Sequence, residues 1–178
     1  MPIANVRAAL SAGPKLHPFT AEQLSDSPLC LYLMDETSGT AMSDSGSVGN
    51  AGSYLGASPT LGARSIFGLT APDFGTEYAT YPDSAALSAY HAGASGVGTW
   101  EFLVRFDAFT GTDAVLSTLD NKQLKVTRNG NGSLVTRMYT AVGGVTIMSA
   151  ASADDVILVD TDYHVVITYD RSSPRLEV

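Results

Sequence analysis

The feature that most limits the fold of this chain is an apolar run followed by an acidic corner and a glycine-rich loop. The run, residues 29–34, is short enough for one strand buried on both faces. It breaks into residues 35–40, Asp-Glu-Thr-Ser-Gly-Thr, where polar side chains can bond nearby backbone and glycine permits a positive φ. Residues 43–52, here called the glycine loop, hold three glycines. The pattern predicts a buried strand, a tight corner and a returning loop.

This stretch resembles the opening of the laminin G-like, concanavalin A-like jelly roll. The family pattern there is an aromatic residue, a short spacer, Asp-Glu-x-Ser-Gly, then Asp-x-Ser-Gly and Gly-Asn-x-Gly. The residues that fill it are Tyr32, Asp35, Glu36, Ser38, Gly39, Asp44, Gly46, Gly49, Asn50 and Gly52. Residues 74–83 look like a second signature of the family. The resemblance implies an all-β protein, a two-sheet antiparallel jelly-roll sandwich over residues 29–178.

Hydrophobic periodicity independently predicts strands along most of this region. Alternation places Trp100, Phe102, Val104 and Phe106 on one face of a strand, and Tyr163, Val165, Ile167 and Tyr169 on one face of another. Asn129-Gly130-Asn131-Gly132 between two apolar runs predicts a β-hairpin. Residues 56–68 have no strand pattern and are predicted to be a loop.

Residues 1–28 have a different character and are predicted to form an extension with short helical turns. Ile3 to Leu10 fits about two turns of helix, and Thr20 to Gln23 fits a capping box with Thr20 as the N-cap. The Asp-Ser-Pro at residues 26–28 then ends the second helix. This lead-in is similar to what phage tail and virion proteins carry before the domain. A flap that covers one sheet edge explains it equally well.

The charge balance restricts the partners of this chain. It carries 18 acidic and 10 basic residues, a formal net charge of −8, and the basic residues are scattered. Nucleic acid and anionic membranes both need clustered Lys and Arg, so neither is expected as a partner. No run of about 18 apolar residues exists to span a membrane. The single cysteine, Cys30, excludes an internal disulfide, and no secretory signal is evident.

Catalysis is not expected. Retaining glycoside hydrolysis needs two carboxyl groups about 5 Å apart, and the glucanases that share this fold class supply them as Glu-x-Asp-x-x-Glu. None of the five glutamates begins that pattern. Glu36 is instead predicted to accept backbone hydrogen bonds at the corner. His17, His91 and His164 lack the spacing of zinc ligands.

Two kinds of binding site follow from the resemblance. Family members often hold Ca²⁺ at a loop rim, which implies Asp44, Asn50 and Asp73 as candidate ligands of calcium. The alternative is that Asp44 and Asn50 are turn formers that bond their own loop. The family also binds sugars on aromatic platforms, and Tyr81 and Tyr90 are the candidates for carbohydrate binding because both adjoin loops.

The resemblance and the acidic, disulfide-free composition predict a structural protein of a bacteriophage virion, in a tail, fibre or decoration component. Its partners would be other virion proteins or copies of itself, with cell-surface glycans as further ligands. The alternative is a secreted, extracellular carbohydrate-binding module of a larger glycan-active protein. The family also implies one or two strands after Val178. An unpaired edge at residues 31–34 would then be covered by residues 1–28, a partner chain or further C-terminal sequence.

Overall fold

A computed structural model of the chain describes residues 18–56, 59–75, 77–82, 85, 97–108, 113–117, 124–139, 146–170 and 175–177. The chain divides into two compact units, Met1–Ser84 and Ala85–Val178, and each is described by itself. The predicted helix at Ile3 to Leu10 lies outside the described residues, and the boundary at residue 28 stays a prediction. Within the described residues, no helix has the length and apolar character needed to cross a membrane.

The described part of the first unit holds a short helix and two small antiparallel sheets. The elements are α1 (Pro18–Ser25), β1 (Ala41–Met42), β2 (Gly52–Leu55), β3 (Thr60–Ile66), β4 (Leu69–Asp73) and β5 (Tyr78–Thr80). One sheet has the order β1-β2-β5, and β3 and β4 form a hairpin. Pro18 begins the helix, where its missing N–H costs nothing. Thr20 therefore lies inside the first turn, so its predicted N-cap position is wrong.

The buried strand predicted at residues 29–34 is also wrong. All six side chains are only half-buried, and the segment makes one isolated antiparallel bridge, Tyr32 to Asp44. The glycine loop takes the place of a neighbouring strand. The N–H groups of Ser45, Ser47 and Val48 donate to the carbonyl oxygens of Leu31, Pro28 and Leu29 at 2.8, 2.9 and 2.9 Å. An irregular loop thus satisfies backbone groups that a ladder would otherwise pair.

The loop predicted over residues 56–68 is wrong because β3 occupies much of it. β3 pairs with β4 across a turn at Phe67 and Gly68, whose φ values are 49° and 80°. Positive φ at both central residues is typical of the type I′ turn, which matches the twist of hairpin strands. The register shifts opposite Pro72, which has no N–H to give to a ladder. Phenylalanine rarely occupies this conformation, which is why the turn gave no sequence signal.

The described part of the second unit is made mostly of strands. They are β6 (Val97–Arg105), β7 (Asp113–Ser117), β8 (Leu124–Arg128), β9 (Leu134–Tyr139), β10 (Thr146–Ala151), β11 (Asp162–Asp170) and β12 (Arg175–Glu177). They form a four-stranded sheet of order β10-β9-β8-β7 and a three-stranded sheet of order β12-β11-β6. Every pairing is antiparallel. The predicted all-β, antiparallel class is confirmed.

The predicted faces of β6 and β11 are confirmed by their register. The cross-strand pairs are Trp100 with Ile167, Phe102 with Val165, and Val104 with Tyr163. These side chains join a core that draws on both sheets, with Val126, Leu134, Met138 and Met148 from the four-stranded sheet and Val165, Ile167 and Tyr169 from the other. The β6 aromatics are partly buried against that cluster. The two sheets of this unit therefore share one apolar core.

The hairpin predicted from the Asn-Gly repeat is confirmed between β8 and β9. The N–H of Asn129 donates to the carbonyl of Ser133 at 2.9 Å, and the N–H of Gly132 donates to the carbonyl of Asn129 at 3.0 Å. The positive φ falls on Gly132, at 73°. The second Asn-Gly pair, and not the first, supplies the left-handed residue.

Candidate functional site

The carboxylate of Asp44 organises the glycine loop of the first unit. Its Oδ1 accepts the N–H of Leu31 at 2.8 Å and the N–H of Gly46 at 2.7 Å. Its Oδ2 accepts the N–H of Asn50 at 2.7 Å. Hydrogen bonds from backbone N–H groups to an ionised carboxylate are short and about twice as strong as neutral ones. One side chain therefore holds two positions of the glycine loop and also Leu31 in the segment that the loop packs against.

The surroundings of Asp44 favour its charged form. Partial burial by itself raises the pKa of the carboxyl. The hydrogen bonds from the backbone of Leu31, Asn50 and Gly46 and from the thiol of Cys30 lower the pKa by more than burial raises it, so the pKa lies below its ordinary value. The neighbouring thiol responds in the opposite direction. Burial, followed by the charge of Asp44, raises the pKa of Cys30. Asp44 is thus an anion at neutral pH and Cys30 a neutral thiol.

Gly46 is required by a close approach of two backbone segments. A Cβ at this position would lie 2.5 Å from the carbonyl oxygen of Leu29 and 2.6 Å from the Cα of Cys30. Real Cβ atoms do not approach backbone so closely, so any other residue would push the loop off the segment. The glycine in the Asp-x-Gly part of the pattern therefore has a steric role.

Tyr32 links the glycine loop to the end of β5. Its hydroxyl donates to the carbonyl of Asn50 at 2.6 Å, and its ring stacks on Tyr81 with centroids 5.7 Å apart. The side-chain amide of Asn50 donates to the carbonyl of Pro82. Three of the five predicted binding-site residues, Asp44, Asn50 and Tyr81, are therefore brought together. They surround Tyr32, which was not among the predicted site residues.

Glu36 is the second carboxylate that holds backbone, as predicted. Its Oε1 accepts the N–H of Ser43 at 2.7 Å, and its Oε2 accepts the hydroxyl of Tyr54 at 2.7 Å. Partial burial raises the pKa of Glu36, but the hydrogen bonds from Ser43 and Tyr54 outweigh it and bring the pKa below its ordinary value. Burial and the adjacent carboxylate raise the pKa of Tyr54. The corner prediction is confirmed, and the tyrosine partner is new.

The candidate calcium ligands are already engaged with the protein. Both oxygens of Asp44 accept N–H groups, and the amide of Asn50 donates to a carbonyl. Asp73 lies at the end of β4, where its Oδ2 pairs with the guanidinium of Arg64 at 2.9 Å. Across the described residues, no group of three or more His, Cys, Asp or Glu side chains is placed to hold a metal. The turn-forming interpretation of Asp44 and Asn50 therefore accounts for their geometry.

The predicted sugar platform is only partly described. Tyr81 is half-buried and has one ring face against Tyr32. Tyr90 lies outside the described residues. The most exposed aromatic of the same sheet is Tyr78, at 56%. Tyr78 is paired opposite Leu55 across β2 and β5, and its ring is exposed at the sheet surface.

In the second unit, Arg128 is a buried residue that the sequence prediction missed, although strand alternation could have identified it. Arg128 is fully buried, with its guanidinium 5.5 Å from the centroid of the Phe106 ring and one of its nitrogens donating to the carbonyl of Asn129 at 3.0 Å. Alternation with Val126 along β8 already places it on the apolar face. The sequence signal for Arg128 was a charged residue at a strand position that shares a face with a buried apolar residue.

Glu36 and Asp44 act as hydrogen-bond acceptors within the fold. A general acid in glycoside hydrolysis needs a raised pKa so that it holds a proton to give. Here both carboxyl groups have a lowered pKa and accept N–H or O–H donors.

Comparison with known proteins gives no further assignment, since no family model, curated protein or solved structure matches the chain.

Proposed function

We propose that this chain is a non-enzymatic structural protein of a bacteriophage virion, built on a concanavalin A-like jelly roll. In such a particle it would serve in a tail, fibre or decoration component, and its contacts would be with other virion proteins or with copies of itself. Adhesion to host glycans is a secondary role of the same domain.

The jelly roll is supported by the way the sheets of the second unit are built. Two antiparallel sheets contribute side chains to one apolar core, as expected of two sheets packed face to face. Short, antiparallel strands with polar connections are typical of such sandwiches.

The observation that carries the structural role is the use made of the pattern residues in the first unit. The carboxylate oxygens of Asp44 and Glu36 accept hydrogen bonds from N–H and O–H groups of the chain itself. Gly46 lies where backbone leaves no room for a Cβ. Residues that match the family pattern therefore act to hold the loop in place. This favours a scaffold over a catalyst.

Location in a virion is tested directly on particles. Antibodies raised against the purified chain should label particles banded from the source culture when viewed by electron microscopy, and preimmune serum should not. Label found only on soluble protein joined to a glycan-active enzyme would contradict the virion role and favour the carbohydrate-binding module.

The absence of hydrolysis is tested on the purified chain with β-glucan and chitin. We expect no release of reducing sugar. Release that disappears in Glu36→Gln or Glu101→Gln would overturn the proposal, since it would assign one of these carboxyl groups to catalysis.

Glycan adhesion is tested by binding to immobilised glycans. Tyr81→Ala should abolish any binding if the Tyr32–Tyr81 stack is the platform. Tyr78→Ala is the matched control, because it removes an exposed ring from the same strand region. Equal loss in both variants would rule out the stack as the specific site.

A further inference from the structure

The connection between β10 and β11 presents apolar side chains to solvent. Val156, Leu158 and Val159 are 47%, 54% and 42% exposed, whereas Ile157 is 3% exposed and belongs to the core. A single exposed aliphatic residue is ordinary, whereas here three lie within four residues of one connection. Residues 154–160 are called the acidic–apolar loop below.

This loop is held to the rest of the second unit by hydrogen bonds. Backbone N–H groups of Asp155, Ile157 and Asp160 donate to the carbonyls of Asn131, Gly132 and Phe106 at 2.9, 2.9 and 2.8 Å. The hydroxyl of Tyr163 accepts the N–H of Leu158 at 2.8 Å and donates to the carbonyl of Val156 at 3.0 Å. A surface ordered before binding loses little conformational entropy when a partner docks.

Carboxylates flank the apolar side chains. Asp154, Asp155 and Asp160 lie within the loop and Asp162 follows it. Among the described residues Arg105 faces them, at 3.7 Å from Asp160 and 3.4 Å from Asp162. Within the described part of the chain the three carboxylates of the loop outnumber this guanidinium, so the surface is negative and a binding partner should present positive charge to it.

A positively charged row lies on another part of the same unit. Lys125 on β8 is directly opposite Arg137 on β9, and Arg137 is opposite Ser149 on β10. Lys125 and Ser149 are exposed, and Arg137 is half-buried. Like charges directly opposite on a sheet are destabilising. Within the described part of the chain neither cation forms an ion pair, so the row lacks a compensating anion there.

The row and the loop are separate surfaces of one unit. The loop docks at the hairpin end of β8 and β9, through Asn131 and Gly132. Arg128 is the last residue of β8, at the hairpin end, and Lys125 lies three positions before it. Three residues of strand separate their backbones by about 10 Å. An ion pair needs a much closer approach, so the two surfaces are available to different copies.

We propose that the acidic–apolar loop of one copy docks on the Lys125–Arg137 row of a second copy of this chain. The contact uses a different surface on each side, so it is heterologous and can repeat around a ring or along a filament. A symmetric loop-to-loop contact is disfavoured because it would oppose carboxylates with carboxylates. The inference rests on the proposed function in one respect, that copies of the chain meet in an assembly.

Charge exchange between copies tests this contact on the full chain. Sedimentation equilibrium should show self-association that weakens as the salt concentration rises. Lys125→Glu with Arg137→Glu should weaken it by at least about tenfold, and so should Asp154→Lys with Asp155→Lys. An equimolar mixture of the two reversed proteins should restore association, since each then offers the surface that the other needs.

The matched control is Glu22→Lys with Asp26→Lys, which changes net charge as much as the loop reversal but lies in or next to α1 of the first unit. It should associate like the unaltered chain. Recovery in the mixture also shows that both reversed proteins are folded. A chain that is monomeric at every concentration and salt, reversed proteins that associate normally, or a mixture that stays dissociated would each overturn the contact.

The outcomes of this test and of the virion test are distinguishable. Self-association with the expected charge exchange, but no label on particles, would leave the contact standing and remove the virion role. Label on particles together with failed charge exchange would leave the virion role and remove this contact.

Discussion

Asp44→Asn is the substitution that most directly tests how the glycine loop is held. The change keeps the shape of the side chain and leaves one oxygen to accept the N–H groups of Leu31 and Gly46. The other oxygen becomes an amide that faces the N–H of Asn50, so a donor meets a donor. Loss of one charge-assisted bond and weakening of two others should cost about 2 to 4 kcal/mol.

Urea unfolding followed by circular dichroism gives the free energy, and hydrogen exchange read by mass spectrometry locates the effect. At neutral pH the variant should unfold at a lower urea concentration, and peptides covering residues 29–50 should exchange faster. Because the folded pKa of Asp44 is lowered, its stabilisation is present above the unfolded pKa of about 4. It is lost as the pH falls through the folded pKa, so the two proteins should converge in acid.

Asp155→Asn is the matched control for this experiment. Asp155 is exposed and has a positive φ of 58°, a conformation that asparagine tolerates well. Its substitution should change the free energy of unfolding by less than about 0.5 kcal/mol. An Asp44→Asn protein with an unchanged urea midpoint and unchanged exchange at residues 29–50 would refute the reasoning.

Three further predictions use the same measurements. Gly46→Ala should cost more than about 2 kcal/mol, because the added Cβ meets backbone, whereas Gly49→Ala has open space and should cost only about 1 kcal/mol for its positive φ. Glu36→Gln should lower stability by about 1 to 2 kcal/mol through its weaker bonds to Ser43 and Tyr54, and a wild-type melting curve would contradict that. Phe102→Ala should cost about 3 kcal/mol, read from the same urea titration, since its ring packs on the core opposite Val165.

Periodicity predicted the second unit well because its strands have one apolar face and one polar face. The alternation through Trp100, Phe102 and Val104 assigns both the strand and its core face, and the Asn-Gly repeat marks the hairpin. These signals are local, so a single sequence contains them. The placement of Arg128 in the core follows from the same alternation, although charge argues for the surface.

The first unit was harder to predict because its structure depends on contacts that are distant in sequence. The apolar content of residues 29–34 suggested a strand, but the partner of that segment is a loop held by Asp44. The turn at Phe67 uses a residue that disfavours positive φ, so residue type gave no indication of it. The role of Glu36 was predictable from its position at the corner, whereas its bond to Tyr54 required the fold.

The close approach of Gly132 to the acidic–apolar loop restricts where this chain can accept extra residues. A Cβ on Gly132 would lie 2.9 Å from the carbonyl of Ile157, so the β8–β9 turn and the β10–β11 connection fit one another as a matched pair. Lengthening either one alone would separate them. The turn at Phe67 and Gly68 is different, because both residues are exposed at the tip of a two-stranded hairpin. A peptide inserted for display or for an affinity tag therefore belongs at residues 67–68.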